Sequence, residues 1–74
     1  MKAHTIIKTR RVEEYQVFHL GDEYKISRYK NIKSMSDNKS YFISKKRSWK
    51  VYDALGKKPT LKEAKSFILK GGAN

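Results

Sequence analysis

Two short serine motifs come closest to a catalytic centre in this sequence. Ser27 and Lys30 have the S-x-x-K spacing, in which a lysine amine activates a serine hydroxyl, and Ser36, Asp37 and Asn38 spell S-D-N. Enzymes built on these motifs need a far larger scaffold than 74 residues. A chain with seven serines and fourteen lysines also produces the first spacing by chance. We therefore expect no catalytic serine.

The other reactive side chains are scattered along the chain. The four carboxylates of residues 13–23 flank a predicted hairpin, where they solvate strand ends. Residues 56–60 (GKKPT) lack the spacing of a phosphate-binding loop and are typical of a turn that leads into a helix. His4 and His19 are far apart, and no cysteine accompanies them. The sequence predicts no enzyme, no metal site and no cofactor.

Positive charge is the strongest chemical signal. Eighteen Lys and Arg against seven Asp and Glu give a net charge of +11, and the calculated pI is about 10.0. The charges of residues 1–24 cancel, whereas residues 25–58 carry +9 and the rest of the chain +2. An acidic partner is therefore expected, and the middle of the chain is expected to contact it.

Aromatic side chains interleave with these cations, at Tyr29, Tyr41, Phe42, Trp49 and Tyr52. Nucleic-acid sites combine cations that neutralise phosphates with flat side chains that stack on bases. An alternative stays open, in which the rings form the core of a small domain and the lysines only solubilise it. Lysine outnumbers arginine by fourteen to four, which favours phosphate contacts over base recognition unless Arg28 or Arg47 reaches a base edge.

The composition limits the class of protein. Seventy-four residues make one domain, residues 1–74, with one thin core. The absence of cysteine fits a reducing compartment. The apolar runs are too short for a membrane span or a signal peptide. We expect a cytoplasmic protein, in the host cytoplasm if the chain is viral, without a membrane partner.

The first part of the chain has the alternation of β-strands. Residues 4–9 predict a first strand, and residues 15–20 and 24–27 alternate apolar and polar side chains around a turn at Gly21-Asp22. Two exposed strand edges follow from any open sheet, and residues 4–9 could pair within one chain or between two chains. The oligomeric state is therefore left open.

A second hairpin is predicted after a polar loop at residues 31–39. Residues 41–44 and 49–52 alternate, and the cations of residues 45–47 are expected to form its turn. The predicted core side chains are Tyr41, Ile43, Trp49 and Val51. The side chains expected on the other face are Phe42, Lys50 and Tyr52.

A helix is predicted at about residues 60–70. Thr60 and Glu63 form a capping-box pattern, and Gly71-Gly72 ends the segment. The apolar stripe of this helix is Leu61, Ala64, Phe67 and Ile68. Strands within about residues 4–53 followed by one amphipathic helix predict an α+β fold, a small antiparallel sheet of three to five strands with the helix packed on one face.

Residues 48–53 (SWKVYD), Gly56 and residues 60–68 (TLKEAKSFI) form a strand, a turn and a T-x-x-E-A helix. This ending resembles the sheet-plus-helix modules of AP2-type and integrase arm-binding DNA domains, and that of short phage or mobile-element proteins. The resemblance covers residues 48–68 and rests on features of the fold. The resemblance assigns no base-contacting residue and does not by itself transfer DNA binding to this chain. The short sequence, rich in Lys, Ile and Asn, is typical of a phage or mobile-element product.

The sequence predicts a small, basic, non-enzymatic nucleic-acid-binding protein that contacts the phosphates of duplex DNA. Single-stranded DNA or RNA is an alternative ligand for the aromatic face. The alternative function is a small phage-type inhibitor or modulator that docks on an acidic surface of a host protein. The predicted contact residues are Arg28, Lys30, Phe42, Lys45, Lys46, Arg47, Lys50, Tyr52, Lys57 and Lys58.

Overall fold

A computed structural model describes residues 2–34 and 38–71 of the chain. Within these ranges the chain forms five strands and one helix. The elements are β1 (His4–Lys8), β2 (Val12–His19), β3 (Asp22–Tyr29), β4 (Tyr41–Ser48), β5 (Val51–Lys58) and α1 (Leu61–Leu69). The predicted α+β architecture, an antiparallel sheet with a C-terminal helix, is confirmed.

The strands form an antiparallel meander in the order β1-β2-β3-β4-β5. Three of the four links are short enough to form hairpins: residues 9–11 lie between β1 and β2, Leu20-Gly21 between β2 and β3, and Trp49-Lys50 between β4 and β5. Leu20 and Gly21 both have positive φ angles (50° and 84°), as a twisted two-residue hairpin turn requires. The predicted turn at Gly21-Asp22 is therefore shifted by one residue.

One row of paired residues crosses the whole sheet and marks one of its ends. Lys8 pairs with Glu13, Glu13 with Arg28, Arg28 with Tyr41, and Tyr41 with Lys58. Beyond this row lie the β1–β2 turn, the connection from β3 to β4 and the junction between β5 and α1. We call this end of the sheet the entry end. The opposite end, with the turns Leu20-Gly21 and Trp49-Lys50, is the tip end.

Helix α1 packs on one face of the sheet and closes the core. Its buried side chains are Ala64, Phe67 and Ile68. They form a cluster with four buried residues of β2, β3 and β4: Val17, Tyr24, Ile26 and Ile43. Alternate residues of a strand point to opposite faces, so the core side chains of β2, β3 and β4 lie at alternate positions of these strands. Strand β5 lies against the helix at Gly56, where a β-carbon would be in ordinary van der Waals contact with the Phe67 ring, at 4.0 Å.

The helix begins and ends where the sequence predicts. The hydroxyl of Thr60 accepts a hydrogen bond from the Glu63 amide (3.1 Å), which satisfies one of the donors that a helix leaves unpaired at its start. At the other end the Gly71 amide donates to the Ile68 carbonyl (2.9 Å) with a φ of 77° at Gly71. Gly72, the other residue of the predicted stop, lies outside the described residues.

The second hairpin departs from its prediction. Residues 45–47 continue β4 instead of forming a turn, and the turn lies at Trp49-Lys50, where Lys50 adopts a φ of 62°. Trp49 (77% exposed) and Val51 (43% exposed) are therefore outside the core, contrary to prediction. The strand extends because Lys45 and Lys46 pair in register with Asp53 and Tyr52 of β5.

Strand β5 is also longer than predicted. It runs to Lys58, past the expected limit at about residue 53, so residues 56–58 are strand and not turn. A register shift opposite Ile43 and Ser44 leaves Leu55 as an extra residue, a β-bulge that allows pairing to resume at Gly56. The predicted polar loop is confirmed at residues 31–34 and 38–39, and Ser36 and Asp37 lie outside the described residues.

Candidate nucleic-acid interface

The sheet face opposite α1, the open face, is not covered by the helix. Strand alternation and register place on it a row that runs from Glu14 through Ser27 and Phe42 to Lys57, one residue from each of four adjacent strands. Its further cationic and aromatic side chains are Phe18, Lys25, Tyr29, Lys46 and Tyr52. Lysines and rings thus alternate across β3, β4 and β5.

A shallow concavity lies in the open face towards the entry end. Its lining includes Lys25, Ser27, Tyr29, Phe42 and Lys57. The rings of Tyr29 and Phe42 contact each other with centroids 6.1 Å apart and planes tilted by 55°, so they form one aromatic wall. A flat or sugar-like ligand group could lie against this wall with a lysine on either side.

Towards the tip end, the side chains of the open face contact one another. The Lys25 ammonium lies 4.3 Å from the centroid of the Tyr52 ring and 3.5 Å from a Glu14 carboxylate oxygen. The Tyr52 hydroxyl donates to Glu23 (3.3 Å), which also pairs with Lys46 (3.7 Å). Two carboxylates thus reduce the positive charge of this part of the face.

The cations of residues 45–47, which were predicted to contact phosphates, form ion pairs with carboxylates. The Lys45 ammonium lies 3.4 Å from an Asp22 oxygen. Arg47 makes a bidentate pair with Asp53, its Nε and Nη2 donating at 2.9 and 2.7 Å. Each cation of the triplet has a carboxylate neighbour, so the tip end has less excess charge than the sequence suggests.

Two predicted contact residues, Arg28 and Lys58, lie on the helix side of the sheet. Arg28 Nη1 donates to the Tyr41 hydroxyl (3.1 Å), and its guanidinium carbon lies 5.2 Å from the Tyr41 ring centroid. Arg28 Nε is buried without a hydrogen-bond partner among the described residues. Lys58 lies over the Phe67 ring at 5.3 Å, within the helix interface.

Lys30 belongs to a structural network around Glu13. Its ammonium lies 2.8 Å from one Glu13 oxygen, and the Tyr15 hydroxyl donates to the other (2.9 Å). The hydrogen bond from Lys30 holds the pKa of the Glu13 carboxyl below its ordinary value, against the opposing effect of burial. Burial of the phenol and its bond to Glu13 raise the pKa of Tyr15 to about 12. This network binds β2 to the end of β3.

The structure therefore divides the predicted site. Phe42, Lys46, Tyr52 and Lys57 share the open face. Lys50 is exposed in the β4–β5 turn, 4.4 Å from the Trp49 ring centroid. The remaining predicted residues, Arg28, Lys30, Lys45, Arg47 and Lys58, lie on the helix side or at the tip end in the contacts described.

Lys25 and Tyr29 are open-face residues that the predicted contact set omits. Both follow from the alternation of β3: if Ile26 points to the core, its neighbours at odd positions point away from it. The same alternation separates the two residues of the S-x-x-K motif. Ser27 donates to Glu14 (3.3 Å) on the open face, and Lys30 contacts Glu13 on the helix side.

In the ranges 2–34 and 38–71 no cluster of His, Asp and Glu could hold a metal ion. Over the same residues no helix has the length and apolar character needed to span a membrane.

Comparison of the chain with protein-family models, curated proteins and solved structures gives no match.

Proposed function

We propose that this chain is a non-enzymatic nucleic-acid-binding protein that binds duplex DNA with the open face of its sheet. The observation that carries the proposal is the alternation of lysine and aromatic side chains on three adjacent strands of that face, Lys25 and Tyr29 on β3, Phe42 on β4 and Lys57 on β5. The resemblance of residues 48–68 to AP2-type and integrase arm-binding domains supports it, and an origin in a phage or mobile element is part of the proposal.

The physical argument rests on charge and shape. A protein with a net charge of +11 attracts a polyanion at long range, and lysines that contact phosphates release counterions on binding. Sheet strands are narrow enough to enter the major groove of B-DNA, where the Tyr29 and Phe42 rings would pack along sugars or base edges. With few arginines on this face, phosphate contacts dominate and sequence preference is modest.

Fluorescence anisotropy tests the proposal. The protein is titrated into labelled duplex DNA, single-stranded DNA and heparin at two salt concentrations. We expect the duplex to bind more tightly than heparin and to retain micromolar affinity near physiological salt. Tighter binding of the single strand would make the aromatic wall a stacking site for unpaired bases. Equal binding of all three polyanions, lost together with salt, would overturn the proposal.

A charge-matched pair of variants locates the interface. Lys25→Gln/Lys57→Gln removes two open-face cations, and Lys65→Gln/Lys70→Gln removes two from α1 and its C-cap. The first variant should reduce the slope of log K against log salt by about 1, because Lys25 already pairs with Glu14, and the second should reduce it by much less. Equal effects of the two variants would exclude the open face as the contact surface.

A host protein with an acidic surface is the competing partner. Strand β1 is exposed along its whole length and forms one edge of the sheet, so another chain could pair with it. Affinity capture from nuclease-treated lysate separates the two functions. One protein recovered in stoichiometric amount after digestion would support an inhibitor or modulator, and loss of all partners on digestion would support nucleic-acid binding.

A further inference from the structure

The ion pairs of the fold shift the excess positive charge away from where the sequence places it. In the sequence, the carboxylates of residues 13–23 balance the cations of the first 24 residues. In the structure these carboxylates pair instead with lysines of β3 and β4 and with Lys30, which follows β3. The pairs are Glu13–Lys30 at 2.8 Å, Glu14–Lys25 at 3.5 Å, Asp22–Lys45 at 3.4 Å and Glu23–Lys46 at 3.7 Å. The cations before residue 13 are left without a carboxylate partner among the described residues.

The four arginines also differ in whether their side chains have partners. Of the four arginines in the chain, Arg28 is engaged by Tyr41 and Arg47 by Asp53. Arg10 and Arg11 are exposed, and among the described residues neither side chain makes an ion pair or a hydrogen bond. The two guanidinium groups that can meet a ligand are therefore adjacent, in the β1–β2 turn. They are not Arg28 and Arg47, which the sequence suggested for base contacts.

The turn that carries them is fixed by a local hydrogen-bond network. The Thr9 amide donates to the Val12 carbonyl (2.9 Å), and the Thr9 hydroxyl accepts from the Arg11 and Val12 amides at 3.2 and 3.0 Å. The Lys30 amide donates to the Arg11 carbonyl (2.7 Å), which ties the turn to the end of β3. The backbone that presents the arginines is thus ordered before any ligand binds, which lowers the entropy cost of binding.

The turn also lies at the same end of the sheet as the aromatic wall. It belongs to the entry end, where Val12 pairs with Tyr29 and Phe42 pairs with Lys57 on the open face. A duplex in contact with the aromatic wall would extend past this end of the sheet. Phosphates spaced along its backbone would then come within reach of two long, flexible side chains.

We infer that Arg10 and Arg11 form an arginine clamp on the phosphate backbone of duplex DNA. The inference rests on the proposed function, because the clamp adds to the phosphate contacts of an open face whose positive charge is partly neutralised. A guanidinium group binds two phosphate oxygens at once with parallel hydrogen bonds, and it cannot lose its charge. The clamp therefore anchors the duplex without reading its sequence.

Three double variants test the clamp in the duplex titration. Arg10→Ala/Arg11→Ala should weaken binding at least tenfold at physiological salt and lower the salt slope by about 2. Arg10→Lys/Arg11→Lys keeps the charge and loses the bidentate geometry, so it should keep the slope and weaken binding severalfold. Lys65→Ala/Lys70→Ala removes the same charge from α1 and should change the slope by less than about 1. Circular dichroism checks that each variant is folded.

The outcomes separate this inference from the function on which it rests. Failure of the wild-type protein to bind duplex DNA would overturn the proposed function and the clamp together. Duplex binding by the wild type with equal slopes for the arginine-to-alanine and α1 variants would overturn the clamp alone. Wild-type affinity in the lysine variant would also overturn it, because a point charge would then replace the guanidinium group without loss.

Discussion

Glu13 is the carboxylate whose environment differs most from that of a surface acid. It is 7% exposed, and both its oxygens accept hydrogen bonds, from Lys30 and Tyr15. A buried carboxylate normally has a raised pKa, but the cationic donor reverses the direction here. The sequence could not predict this pair, because the two residues are far apart in the chain and meet only through the register of β2 and β3.

Glu13→Gln should make the free energy of unfolding less dependent on pH in the acid range. The folded state lowers the pKa of Glu13 below 4.5, so its ionisation contributes stability that is fully present above pH 4.5 and is lost as the pH falls through the folded-state pKa. The variant should be less stable at pH 7 by about 1–3 kcal/mol, since it loses a charge-assisted hydrogen bond. Urea unfolding from pH 7 to pH 3 measures both effects. A difference between the two proteins that stays constant over this range would contradict the prediction.

Elements with strong local signals are the part of the fold that the sequence predicts well. The cap at Thr60 and the apolar stripe of α1 define the helix to within a residue, because both depend on spacing along a single segment. The second hairpin is harder, since three consecutive cations are typical of a turn and no sequence signal marks Lys50 as the residue with positive φ. The strand continues through these cations because the neighbouring strands supply carboxylates, which a local pattern does not reveal.

The β4–β5 hairpin gives a prediction that differs from the one the sequence alone would support. A turn of three unpaired cations would lower the salt slope by about 2 to 3 when Lys45, Lys46 and Arg47 are replaced by alanine. Because each cation already has a carboxylate partner, we expect the triple variant to lower the slope of duplex binding by about 1 or less. A decrease of about 3 in the anisotropy titration would show that DNA displaces these pairs, and would return the tip end to the interface.

Across the whole molecule, one thin core holds the helix to the sheet. A domain of 74 residues is stable by only about 4–11 kcal/mol, so no single part of this core is dispensable. The distribution of charge is also a property of the whole molecule. Counting charges by segment identified the middle of the chain as the basic region. In the structure five of its cations pair with carboxylates, whereas Lys8, Arg10 and Arg11 at the entry end have no carboxylate partner among the described residues. The candidate site was therefore only partly predictable.

Phe67→Ala should bring the protein close to unfolding. The ring is 6% exposed and fills the space between α1 and β5, and its loss costs about 3–5 kcal/mol. For a domain of this size the melting temperature should fall by at least about 12 °C. Leu69→Ala is the matched control, because Leu69 is on the same helix and is 51% exposed. Similar melting temperatures for the two variants in circular dichroism would contradict the packing described for α1.

The position of Trp49 has a spectroscopic consequence. The chain has one tryptophan, and its indole is 77% exposed in a turn, with an ammonium group 4.4 Å from the ring centroid. Water surrounds this indole in the native state as it does in the unfolded state, so its emission wavelength should hardly change on denaturation. Intrinsic fluorescence is consequently a poor measure of folding for this protein. It is instead a built-in reporter of any partner that covers the tip end.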